Sequence, residues 1–197
     1  KSVTEATNFA MTEWTGEGSI LVDALDREFL DALGGYGLYS YGIRHPKIVA
    51  AVKAQLERSP QYSQEMLDPL RAQLARVIAL LTPGKIQYGF FANSGTEAVM
   101  NMIKAARAFT GRPKIAKCEG FYHGSYDFAE VSLGNGPAEW QAADAPATAY
   151  CAGTPPSVLD EVVVIPFNEP EHAQRLLDEH GDEIACVMID PAPMRVG

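Results

Sequence analysis

The stretch that decides the fold runs Val162-Val-Val-Ile-Pro-Phe-Asn-Glu-Pro-Glu-His-Ala-Gln-Arg-Leu-Leu-Asp-Glu-His-Gly-Asp-Glu-Ile-Ala-Cys-Val-Met-Ile-Asp190. Two dominantly apolar runs, Val162 to Pro166 and Ile184 to Asp190, have strand length and flank a helix from Glu169 to His180. A strand that is apolar throughout has both faces buried, and strand–helix–strand order is the signature of parallel pairing under helices. Working back toward the N-terminus, Lys114-Ile-Ala-Lys-Cys118 reads as another strand. Thr96 to Phe109 reads as a helix and Gln87-Tyr-Gly-Phe-Phe-Ala92 as a strand before it. Residues 132–160, rich in Gly, Pro and Ala, read as a long irregular excursion of the kind that often carries function. The expectation is an α/β chain with a mainly parallel sheet.

Before residue 87 the pattern differs. Ser19 to Asp26 and Arg27 to Leu33 read as two short strands around an acidic turn. Gly34-Gly-Tyr-Gly-Leu-Tyr-Ser-Tyr-Gly42 follows, where glycine permits tight turns. Pro46 opens a helix with Ile48, Val49, Val52 and Leu56 on one face. A second helix spans Asp68 to Leu81, with Leu70, Leu74, Val77, Ile78 and Leu81 at helical spacing, and Thr82-Pro-Gly84 stops it. The chain contains no internal repeat. Its last residues, Met194-Arg-Val-Gly197, follow directly on a strand, an odd place for a sheet domain to finish.

The bulk numbers narrow the function. In 197 residues, 47% are hydrophobic and 21% charged, enough for a real core. A net charge of −9 without a Lys/Arg cluster excludes nucleic acid as a partner, because phosphates are neutralised by clustered cations. No apolar run is long enough to span a bilayer, so no membrane partner is expected. Cys118, Cys151 and Cys186 are odd in number and form no Cys-x-x-Cys pair. Reduced thiols in a cytoplasmic protein fit better than a disulfide frame or a zinc site, and no metal is expected.

Three segments carry chemistry. Asn93-Ser-Gly-Thr-Glu-Ala98 sits where a strand meets a helix. A helix N-terminus offers unpaired N–H groups and a positive dipole end, Gly95 lets a phosphate approach the backbone, and Ser94 and Thr96 add hydroxyls. Taken alone the same residues also read as a capping box, with Ser94 as cap and Glu97 reaching back. Gly120-Phe-Tyr-His-Gly124 follows the next strand, where open α/β sheets bind ligands. Tyr122 could lay its ring on a flat heterocycle and His123 could brace it; a core tyrosine and a turn histidine are the plainer alternative. Met188-Ile-Asp-Pro191 ends the following strand with a carboxylate, or with a simple Asp-Pro loop start. Three strand ends thus point at one crevice.

In combination, Phe91-Ala-Asn-Ser-Gly-Thr-Glu-Ala98, Tyr122-His-Gly124 and Ile189-Asp-Pro191 resemble the class III aminotransferases of pyridoxal-phosphate (PLP) fold type I. The stretch from Gly34 to Gly84, above all Ser63-Gln-Glu-Met-Leu-Asp-Pro-Leu-Arg71, is similar to putrescine aminotransferase. Lys117-Cys-Glu-Gly-Phe-Tyr-His-Gly124 is more similar to glutamate-1-semialdehyde aminomutase and the β-amino-acid transaminases. The resemblance implies an N-terminal segment, residues 1–45, and the first part of the large α/β/α PLP-binding domain, residues 46–197. It implies pyridoxal 5′-phosphate as cofactor, with Ser94, Gly95 and Thr96 on its phosphate, Tyr122 on its ring, and His123 and Asp190 in support. Asp190 replaces the family's usual Glu, a shorter reach. Arg195 stands where the diamine and ornithine enzymes carry Glu, and Tyr36 matches a substrate-contacting position.

The family's Schiff-base lysine matches none of the seven lysines here, Lys1, Lys47, Lys53, Lys85, Lys104, Lys114 and Lys117. No catalytic residue is therefore assigned; this chain would supply binding and orientation. The implied enzyme is a homodimeric aminotransferase that moves an amino group from an amine or ω/β-amino acid to a keto acid. An aminomutase-like enzyme and a non-catalytic PLP-fold module are the alternatives.

Overall fold

The computed structural model describes residues 12–63, 65–134 and 146–193. The chain divides into two compact units, Lys1–Ile86 and Gln87–Gly197.

In the first unit, β1 (Glu13–Glu17), β2 (Ile20–Asp23) and β3 (Glu28–Leu30) form an antiparallel sheet in that order. Two strands were expected from the sequence, and three are present among the described residues. Asp23 fixes the β2–β3 turn: its buried carboxylate accepts the Leu25 and Arg27 N–H groups and pairs with the Arg27 guanidinium. The glycine-rich stretch is a chain of tight turns with positive φ at Gly34, Gly35, Gly37 and Gly42, and at Tyr36. Helices α1 (Pro46–Arg58) and α2 (Pro69–Leu81) follow, both with proline in the first turn. Neither buries a single residue, and their apolar stripes, Ile48, Val52 and Leu56 on one and Leu70, Leu74, Val77 and Ile78 on the other, are exposed.

The second unit is built differently. Helix α3 (Gly95–Thr110) leads into β4 (Lys114–Cys118), and short helices α4 (Asp127–Glu130) and α5 (Pro156–Asp160) precede β5 (Val162–Ile165). Helix α6 (Pro170–His180) then leads into β6 (Ile184–Met188). The sheet order is β5-β4-β6, parallel throughout, with Ile115 opposite Val162 on one side and Cys186 on the other. Both faces are packed, as continuous apolar strands require. Ile103, Ala129, Val131 and Val158 cover Ile115, Val162, Val164 and Met188 on one face. Leu176, with Ala173 and Leu177, covers Ala116, Val163, Ile165 and Ile184 on the other.

The expected strand from Gln87 to Ala92 does not form. These residues are irregular, and Tyr88 and Phe90 are 92% and 79% exposed. A strand needs a ladder partner for its N–H and C=O groups, and none of the described residues supplies one. The 132–160 excursion is irregular where described, apart from α5.

Candidate functional site

The site starts at the entry to α3. Ser94 is its N-cap, in extended conformation, and the Ser94 hydroxyl accepts the Glu97 N–H at 3.1 Å. The Glu97 carboxylate turns back to accept the Asn93 N–H at 2.8 Å, one residue further out than a capping box on Ser94 itself would reach. The cap is therefore real, and it leaves something over. The Gly95 and Thr96 N–H groups find no protein acceptor among the described residues. Gly95 has no positive φ, and a Cβ built on it would meet nothing within 4 Å. Neither backbone conformation nor neighbouring atoms explain glycine there; open space above two free N–H groups at a positive helix end suits an anion.

The second strand end is tied to this turn. After β4 the chain turns at Gly120, whose N–H donates to Ser132 O at 2.9 Å, and continues through Phe121-Tyr-His-Gly124. The Ser125 N–H donates to the Thr96 hydroxyl at 3.0 Å. Phe121 is buried against Phe167 and fixes the segment from beneath. Tyr122, by contrast, is 52% exposed, so the plainer alternative of a core tyrosine is excluded.

His123 Nε2 is buried without a hydrogen-bond partner among the described residues. Burial, and then the charge of Lys117, push the imidazole below its ordinary range, while Asp190 pulls the other way. His123 is consequently neutral near pH 7, able to give or take one hydrogen bond. Asp190 lies within electrostatic reach of His123, yet its carboxylate also accepts the Ala192 N–H at 3.0 Å, the Asp-Pro loop start noted as the plainer reading. The three segments do converge: Thr96 holds Ser125, and His123 feels Asp190. Tyr36 belongs to the first unit, where it is largely exposed with φ at 56°. Arg195 lies outside the described residues.

Two charged residues escaped the sequence reading. Lys117, on the Ile115 face of β4, is fully buried and donates to Val131 O at 2.6 Å; burial pushes its ammonium down to about 8. Glu119, also buried, accepts the Phe167 N–H at 2.8 Å. They clamp the loops after β4 and β5. A charge inside an apolar run was the available signal.

A family model described as aminotransferase class-III matches residues 2–197. The chain belongs to the class-III aminotransferases. Among solved structures it is 43% identical to an omega-transaminase from Sphaerobacter thermophilus, with a TM-score of 0.86, over 96% of this chain and 42% of that one. A structure described as a transaminase with PLP bound is 35% identical, TM-score 0.85, over 96% and 42% of the two chains. The β-phenylalanine aminotransferase of Variovorax paradoxus is 29% identical, TM-score 0.74, over 96% and 39%. This class-III chain thus spans about two fifths of the length of these relatives. Its parallel α/β architecture is that of the family.

Proposed function

We propose that this chain is the phosphate- and ring-binding part of a PLP-dependent aminotransferase that moves an amino group from an amine or ω/β-amino acid to a keto acid. Residues 1–45 are assigned to the N-terminal segment and 46–197 to the first part of the large domain. The observation that carries the reading is the junction of two turns: the free Gly95 and Thr96 N–H groups lie beside the segment bearing an exposed Tyr122.

The residues present fit the cofactor. Gly95 and Thr96 N–H, with the Ser94 and Thr96 hydroxyls, hold the phosphate dianion at the helix end. Tyr122 offers its exposed face to the ring, worth about 0.5–1.5 kcal/mol beyond area burial. His123, its imidazole pushed down by burial and by Lys117, would support the segment that carries Tyr122. Asp190 adds negative charge at the end of β6. When bound, the cofactor supplies the electron sink for deprotonation of the amino-bearing carbon. None of the seven lysines is assigned the covalent bond to it. Lys117, whose ammonium burial pushes down to about 8, is spent on Val131 O inside the fold.

Further parts of the proposal are a homodimer, supported by family membership alone, and a cytoplasmic location. The latter is supported by three free thiols and by the fact that no described helix is long and apolar enough to cross a membrane. The protein at its natural length, purified and assayed with amine or ω-amino acid donors and keto-acid acceptors, should transfer the amino group. Borohydride reduction should fix the cofactor on a lysine outside this sequence. Fixation on any of the seven lysines overturns the assignment.

A further inference from the structure

Gly124 has φ at +93°, a conformation that L side chains rarely adopt. Its surroundings are as restrictive as its backbone. A Cβ on Gly124 would lie 2.7 Å from the Thr96 hydroxyl oxygen, 2.8 Å from the Thr96 Cα and 3.2 Å from its Cβ. The Cα belongs to the first turn of α3 and cannot rotate away as a side chain would. The next residue closes the contact from the other side, because the Ser125 N–H donates to the same Thr96 oxygen at 3.0 Å. Backbone thus meets backbone across a single hydroxyl, 28 residues apart in the chain (Gly124 against Thr96).

We propose that Gly124 and Ser125 are positioning residues that latch the ring-facing turn to the anion-facing turn and so set the spacing between the phosphate and ring contacts. The proposal rests on the cofactor reading above. The Thr96 hydroxyl accepts from Ser125 and keeps its own proton for a donor bond to an anion. A hydroxyl polarised by an incoming N–H is the stronger donor. Tyr122 sits two residues before the latch, and Gly95 one residue before Thr96, so the contact fixes both arms at their bases. A ligand carrying ring and phosphate on one frame gains from both arms only when their spacing matches its own, since the second contact is then intramolecular. Moving one arm out of register makes the second contact no longer available to a ligand already held by the first, and its contribution to affinity is lost.

The test uses three probes that form no bond with lysine: inorganic phosphate, pyridoxine, and pyridoxine 5′-phosphate. The wild-type protein should bind the third more tightly than either part. Gly124→Ala, whose Cβ presses on Thr96, should weaken inorganic phosphate by no more than several-fold and leave pyridoxine within about twofold, while weakening pyridoxine 5′-phosphate by more than those two changes combined, roughly tenfold to a hundredfold. Equal weakening of all three probes, or no weakening of the third, overturns the latch. A wild-type protein that binds none of them overturns the cofactor reading itself, and the latch with it. Because the alanine variant could lose its fold, a second measurement needs no variant. Inorganic phosphate titrated into the wild-type protein should shift the Ser125 amide resonance in step with those of Gly95 and Thr96. A Ser125 amide that stays fixed while the other two move overturns the proposal.

Discussion

Helices α2 and α3 begin in the same way on paper, with a small polar cap before an amphipathic run, and end up as different objects. At α2, Asp68 accepts both the Leu70 and Arg71 N–H groups, and Pro69 has no N–H to offer. Every donor at the first turn is consumed by the chain itself, under a negative charge. At α3, the Ser94 hydroxyl accepts only the Glu97 N–H, and the Gly95 and Thr96 donors find no acceptor among the described residues, beneath open space. The same contrast runs along the helices: α2 buries nothing, whereas α3 sends Ile103, fully buried, into the sheet. One helix end is closed for stability, and the other is left open on a rigid support. A cap and an anion site are separated by which donors the cap leaves unused.

The largest expected effect probes the support. Ile103→Ala should destabilise the protein by about 2–5 kcal/mol, while Leu74→Ala, on the exposed stripe of α2, should cost less than about 1 kcal/mol by urea denaturation. Equal costs would mean that the α2 stripe is covered in solution, and the contrast between the helices would fail.

Beneath α3, Lys117 gives the comparison a pH dependence. Its ammonium titrates near 8 in the folded chain against 10.5 when exposed. Between those values the unfolded chain binds more protons, so stability should rise as the pH climbs from about 8 to about 10.5. The whole rise is about 3 kcal/mol, since each pH unit between the two values adds roughly 1.4 kcal/mol. Lys117→Met should remove that rise, and a stability–pH curve unchanged by the substitution would contradict it.

Smaller still is the difference between the caps. Asp68→Ala and Ser94→Ala should each cost about 1 kcal/mol of stability. Only Ser94→Ala should also weaken cofactor binding, by several-fold. A matching loss of cofactor affinity in Asp68→Ala would erase the distinction between the two helix ends.

How much of this could be read in advance depended on how local the physics was. The parallel sheet was legible because Val162–Ile165 and Ile184–Met188 carry their own burial pattern, and α1 to α3 because caps, prolines and spacing are local signals. The 87–92 strand was misread because apolar composition cannot supply a ladder partner. β1 was missed for the opposite reason: Glu13-Trp-Thr-Gly-Glu17 is polar, and its single buried residue is Gly16, where a Cβ would lie 2.6 Å from Ile20 O. The Ser94–Thr96 turn and the Tyr122-His-Gly124 segment were recognised as motifs, but not the bond between them. The need for glycine at 124 resides in Thr96, and the burial of Lys117 and Glu119 depends on acceptors and donors 14 and 48 residues away.

The central claim is that the open end of α3 receives the cofactor phosphate. A crystal structure of the protein grown with pyridoxal 5′-phosphate tests it most directly, with Gly95→Val as its companion. The account predicts a phosphate oxygen within hydrogen-bond distance, about 2.7–3.2 Å, of the Gly95 or Thr96 nitrogen. It also predicts that the valine, in what is now open space, abolishes cofactor binding while changing stability far less. A phosphate bound elsewhere, or a Gly95→Val protein with wild-type cofactor affinity, would reduce the turn to a helix cap and contradict the account.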